Sequence, residues 1–112
     1  MPSWLGNMFN VKKPKYGIAT WTEGGKTTKC GTSWEHNNHM TVAVSDKSPY
    51  KCGQVLLVKN ISIDKPKEVL VIVVDEVKGY APTKLNLHKK AFEALGSQAS
   101  VGIIEVEFYP IS

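Results

Sequence analysis

The stretch VIVVDEVKGYAPTKLNLHKKAFEALG, Val71 to Gly96, decides how this chain is read. Four consecutive β-branched residues, Val71-Ile72-Val73-Val74, favour an extended strand buried on both faces. The run ends on a carboxylate, Asp75, where the strand leaves the core. Such a carboxylate is paired, bonded to a loop, or kept for chemistry, because burying it bare is costly. Gly79 to Pro82 supplies turn residues, and Thr83 to Leu87 forms a second, shorter strand with Asn86 near its centre. Behind it, HKKAFEALG places Ala91, Phe92 and Leu95 on one helical face, and Gly96 is suited to end the helix. An acid closes one strand, and an amide stands in the next.

Working outward, the same alternation predicts strands at Tyr16–Thr22, His39–Ser45, Gln54–Asn60, Glu68–Asp75, Thr83–Leu87 and Val101–Tyr109. Gly24-Gly25, Ser48-Pro49 and Asp64-Lys65-Pro66 punctuate them as turns. A second helical turn is expected at Asp46–Tyr50. There is no internal repeat and no low-complexity segment. Six short strands with one or two small helices imply a mainly β chain closed into a compact barrel.

The bulk numbers narrow the function. A chain of 112 residues with 42% hydrophobic and 21% charged residues is one folded domain with a real core. No apolar stretch approaches the roughly 20 residues that cross a bilayer, so no membrane partner is expected. MPSWLGNMFNVKKPK lacks the long apolar centre of a secretory signal and reads as an extension, residues 1–15, ahead of a barrel domain at 16–112. The net charge is +4 and every basic residue is Lys, which weakens a nucleic-acid function because the Arg fork is what reads bases and phosphates. The lysines are scattered, as on a solvated surface; attraction to an acidic polysaccharide is the sharper alternative. His36 and His39, with Glu35 beside them, lack a fourth ligand, so no metal is expected, nor any cofactor. Cys30 and Cys52 each precede a glycine. They form either a disulfide, worth roughly 3 kcal/mol by loop closure, or two thiols buried in a reducing compartment. Asn60-Ile61-Ser62 is a glycosylation triplet of a kind common by chance.

Several segments occur in one order: GIATWT, CGTS, HMTVAVS, KCGQVLLVKN, VVDEVKGYAPTKLNLHKKAFEALG and GIIEVEFY. Together they resemble the double-psi β-barrel family of expansins, barwin-like proteins and rare lipoprotein A domains, above all the small single-domain loosenins. The resemblance runs from Tyr16 to Tyr109. It implies a six-stranded double-psi β-barrel with one or two short helices, secreted, and carrying a shallow polysaccharide groove floored by two acids. Thr20 and Thr22 fall in the family's opening strand, near the acids. Asp75 matches the first family aspartate, and Asn86 occupies the place of the second. Cys30 and Cys52 match a pair that the family commonly bonds. Trp21, Trp34 and Tyr80 are the rings able to edge the groove; Trp34, in a polar loop, is expected to be exposed, and Trp21 to divide between core and groove.

The departures from the family matter as much. Asn86 can donate and accept hydrogen bonds, but it cannot ionise or deliver a proton near neutral pH. Val77 stands where the family has an aromatic residue, DEVKGY lacks a loosenin cysteine pair, and His39 replaces an Asp or Asn. Ser33, His36 and Val44 occur where a lytic transglycosylase would carry its acids and histidine. His88 replaces a serine N-cap, at a local cost. Glycoside hydrolysis needs two carboxylates across the bond. Asp75 supplies one, Glu76 alternates to the other face, and Glu23 or Glu35 would have to reach in from loops. The expected function is therefore a secreted, monomeric module that binds cellulose, chitin, pectin or peptidoglycan and loosens the wall without hydrolysis. The alternative is a barrel re-used to bind protein, as a protease inhibitor or an effector or defence protein.

Overall fold

In the computed structural model, residues 13–112 are described; Trp4 and the remainder of residues 1–12 lie outside them. The strands are β1 (Lys15–Thr22), β2 (Thr41–Ser45), β3 (Val55–Asn60), β4 (Glu68–Val77), β5 (Lys84–His88) and β6 (Ile104–Pro110), with helix α1 at Lys89–Ala94. They close into a barrel in the order β1-β5-β2-β4-β3-β6. β1 runs parallel to β5 and β2 parallel to β4, while the other neighbours are antiparallel.

Alternation accounts for the closure. Val42 and Val44, Leu85 and Leu87, and Val106 and Phe108 each point inward from alternate positions and are fully buried. Helix α1 adds Ala91 and Phe92 to the same core, and Leu95 follows just past its end. Gly96, at φ 90°, adopts the left-handed turn that ends α1. At Gly17 the chain admits no side chain, because a Cβ would lie 1.9 Å from the Thr83 carbonyl oxygen.

Two strand starts and one expected helical turn differ for identifiable reasons, beside shifts of one or two residues at other strand ends. The strand expected from His39 begins at Thr41, because Asn37, Asn38 and His39 take left-handed φ values of 56°, 54° and 67°. The strand expected from Val101 begins at Ile104: Ala99–Val101 is a 3-10 turn, and Gly102 breaks direction at φ 80°. Asp46–Tyr50 is a turn and not a helix. The Ser45 hydroxyl accepts from the Lys47 N–H at 3.0 Å, and Ser48, preceding Pro49, is steered away from the helical region.

Two further features were open in the sequence. Cys30 and Cys52 form a disulfide, with their Cα atoms 5.5 Å apart. Asn60 is wholly buried: its Nδ2 donates to Leu95 O and Ser97 Oγ, both at 2.9 Å, and its Oδ1 accepts from Ser62 N–H. In the folded chain its amide nitrogen is committed to the structure, and a glycan on it is incompatible with these bonds.

Candidate functional site

The question raised by Asp75 is answered by strand register. Val42 pairs with Val73, but Ala43 pairs with Asp75, so β4 carries a bulge that takes up Val74. Val71 and Val73 belong to the barrel core, and strict alternation would have turned Asp75 inward after them. The extra residue turns it outward, a common use of bulges beside functional sites. Ala43 also pairs with Asn86, and Asn86 with Thr20. Thr20, Asn86, Ala43 and Asp75 therefore form one row across β1, β5, β2 and β4. With neighbouring strands about 4.8 Å apart, the backbones of Asp75 and Asn86 are separated by about 10 Å. The small Ala43 between them is wholly buried against Trp34, and the two floor a shallow hollow.

That hollow is a groove of about 240 Å³ lined by Asp75, Asn86, Thr22, Lys26, Trp34 and Val77, with Gly24 and Ala43 completing it. Asp75 Oδ1 accepts from the backbone N–H of Lys29 at 2.8 Å and of Glu76 at 3.0 Å. Both bonds fall on one oxygen, Oδ1. The Thr20 hydroxyl donates to Asn86 Oδ1 at 2.9 Å, so the amide nitrogen is the group with hydrogens to give. Thr22 Oγ1 accepts from Gly24 N–H at 3.1 Å and starts the turn that closes the groove. Glu76 pairs with Lys29 at 3.2 Å.

The three rings occupy different environments. Trp34 is only 6% exposed, which corrects its expected exposure. Its ring packs with Ala43 and Val74, the residues of the row and the bulge, in a small second core outside the barrel. Gly24 lies so close that a Cβ there would approach the ring to 2.7 Å. Trp34 thus supports the groove floor and lines it by an edge. Trp21 packs against the main core, its Nε1 donating to Ala99 O at 2.7 Å and the Lys89 ammonium lying 5.3 Å from the ring centre. Tyr80 is half-buried with the Lys84 ammonium 4.0 Å over its ring. Neither Trp21 nor Tyr80 lines the groove.

Sequence reasoning passed over Lys26, Gly24, Lys29 and Ala43. The Gly24-Gly25 pair marked a turn but not what it packs on. Ala43 gave no signal inside TVAVS, because its importance comes from two pairing partners distant in sequence.

His88 stands at the N-cap of α1, where the sequence reading placed it, and its Nδ1 accepts from the Lys90 N–H at 3.0 Å. Burial lowers its pKa below the usual histidine value, helped by His39, whose ring centre is 4.7 Å away, and by Lys90. Among the described residues no group of three or more His, Cys, Asp or Glu side chains could hold a metal ion.

No protein-family model matches the chain, and no curated protein sequence matches it. Solved structures do. An expansin from Clavibacter michiganensis superposes with a TM-score of 0.73 at 27% identity, over 88% of this chain and 50% of that one. A mutant of the same expansin, in complex with cellohexaose, gives 0.72 over the same shares. The chain thus spans about half the length of these expansins. Cerato-platanin 5 from M. perniciosa gives 0.70 at 14% identity, over 88% of this chain and 89% of that one. A Streptomyces papain inhibitor gives 0.65 at 19%, over 88% and 96%. The closed six-stranded barrel with its two parallel pairs, together with these neighbours, gives the chain a double-psi β-barrel fold similar to that of the expansin.

Proposed function

We infer that this protein is a secreted expansin-like module that binds cell-wall polysaccharide in the Asp75–Asn86 groove and loosens it without hydrolysis. The observation that carries this function is the row Thr20–Asn86–Ala43–Asp75, which sets an acid and an amide on either side of an open, polar hollow. A Clavibacter expansin of the same fold has been captured with cellohexaose, which supports a carbohydrate ligand. The disulfide supports an oxidising, extracytoplasmic destination.

Chemistry argues against bond cleavage at this groove. Asp75 is the single carboxylate lining it, and Asn86 cannot hold or deliver a proton near neutral pH. Asp75 would instead accept hydrogen bonds from sugar hydroxyls, while Asn86 donates to them. The groove thereby competes for hydroxyls that otherwise bond polymer to polymer. Pull-down on cellulose, chitin, pectin and peptidoglycan tests this, with Asp75→Ala as the control. Retention of the wild type on at least one polymer, lost in the variant and without release of reducing sugar, is the expected result.

A second function is favoured by one observation. Tyr16, 63% exposed, with Ile18 and Ile61 lines a shallow hollow of about 320 Å³ on the flank of β1 and β6, away from the groove. Exposed apolar side chains in such a cluster suit a protein partner. The barrel of the Streptomyces papain inhibitor is similar in fold. Inhibition of papain-class proteases by the pure protein, abolished by Tyr16→Ser with Ile18→Ser, would favour this second function over the first.

A further inference from the structure

Beside the groove lies a larger cleft of about 430 Å³ that the family's acid positions do not reach. One segment builds it, residues 23 to 35, and Lys26 and Trp34 line both spaces. The two spaces adjoin at Lys26 and Trp34, as the wide and narrow lobes of one candidate trough. The wide lobe has a built wall. The Thr28 hydroxyl donates to Thr32 O at 2.6 Å, Gly31 N–H to Thr28 O at 3.1 Å, and Cys30 N–H to Val74 O at 3.3 Å. The Cys30–Cys52 disulfide ties this wall to the loop before β3. Gly25 and Gly31 border open space, since a Cβ at either would meet nothing within 4 Å.

The chemistry of the lining is specific. Thr27, Thr32 and Ser33 contribute hydroxyls, and no exposed aromatic face is present, because Trp34 is buried. Recognition here would run through hydrogen bonds and not through ring stacking. The charges are mixed. Lys26 makes no ion pair among the described residues, whereas Lys29 and Lys89 are engaged by Glu76 and Glu23. Glu35 and Glu23 carry the opposite sign in the wide lobe, Glu23 being paired with Lys89 at 3.4 Å, and Asp75 carries it in the narrow one. A polyanion meets Glu35 and Asp75, and a polycation meets Lys26. A neutral, hydroxyl-rich chain meets neither penalty and can use both signs as hydrogen-bond partners.

We propose that the trough is a two-lobed site for an uncharged glycan chain, which lies across Asp75 and Asn86 in the narrow lobe and continues past Lys26 into the hydroxyl-lined cleft of Thr27 to Glu35. This deepens, and rests on, the carbohydrate-binding function proposed above. It predicts that affinity grows with chain length until both lobes are filled.

The test is a calorimetric titration with cello- and chito-oligosaccharides of increasing length, cellobiose to cellohexaose in the first series, beside polygalacturonate. The wild type should bind the longest neutral oligomers about tenfold more tightly than the shortest, as expected for two added hydrogen bonds. Thr27→Val with Glu35→Gln should reduce that ratio to near one. Both sites are exposed, and thermal melting checks that the variant folds. Independently of any variant, cellohexaose and not cellobiose should shift the amide resonances of residues 27 to 35. Length-dependent binding that the variant leaves intact, or hexaose shifts confined to the narrow lobe, would overturn the two-lobed site while keeping the groove. Tighter, salt-sensitive binding of polygalacturonate would overturn its neutral specificity. Absence of binding at every length and charge would overturn the groove as well.

Discussion

Replacing both half-cystines, Cys30→Ala with Cys52→Ala, separates what holds the barrel from what holds the groove. The bond spans a sequence separation of 22 residues. In the chain-entropy account, a loop of that size removes about 3.4 kcal/mol from the denatured state at 25 °C. A barrel of this length has a stability of about 5–15 kcal/mol, so the variant should remain folded. At about 4–8 °C per kcal/mol, its melting temperature should fall by roughly 15–25 °C. The strands explain why it survives: no ladder of the barrel passes through the disulfide, and the core is formed by residues of the six strands and α1. The groove should suffer more. Lys29, whose N–H holds Asp75 Oδ1, precedes Cys30, and the whole wall of the wide lobe depends on the same anchor. Urea unfolding followed by circular dichroism, with polysaccharide binding measured alongside, checks both halves. A stability loss below about 1 kcal/mol at an unchanged m-value would refute the loop-closure reasoning, and undiminished binding would refute the link to Asp75.

Other outcomes follow from single side chains. His88 titrates below its unfolded value near 6.5, so stability is fully present above that pH and falls as pH decreases toward the folded value, where the unfolded chain binds more protons. Denaturation measured from pH 8 to 4.5 should show this slope, and His88→Asn, which retains a capping acceptor, should flatten it. Asn60→Ala should cost about 2–4 kcal/mol, because Leu95 O, Ser97 Oγ and Ser62 N–H all lose a buried partner. A glycan attached to Asn60 before folding would remove the same bonds, so glycosylated chains should fail to reach the native melting temperature. Gly17→Ala should destabilise by several kcal/mol, since its Cβ collides with backbone at Thr83; a melting temperature within 2 °C of wild type, at roughly 4–8 °C per kcal/mol, would show that β1 and β5 separate easily.

Most of the barrel was legible because alternation is a local signal. Six strands were read near their places, and the β-branched runs of β2 and β4 left little choice. What failed was also physical. His39 belongs by composition to the strand that follows, yet it is the last of three successive left-handed residues, and that pattern has no sequence signature beyond Asn37-Asn38. The Val74 bulge is invisible in a continuous apolar run, because such a run has no period to interrupt. Asp75 and Asn86 were singled out through a family resemblance; their common row needed the register of four strands, which no local pattern carries. Trp34 looked exposed among Ser33, Glu35 and His36, and only the tertiary fold brings Ala43, Val74 and Gly24 against its ring.

The central claim is that the Asp75–Asn86 groove grips polysaccharide without cleaving it, and Asn86→Asp tests it most directly. The Thr20 hydroxyl can donate to a carboxylate as it does to the amide, so the substitution restores the second acid with the local bond kept. Wall weakening and sugar release should be measured for both proteins on the polymer that retains the wild type. The account predicts binding by both, altered strength of wall loosening in the variant, and no reducing sugar from the wild type. Failure of both proteins to bind any wall polymer, or release of reducing sugar by the wild type, would contradict it.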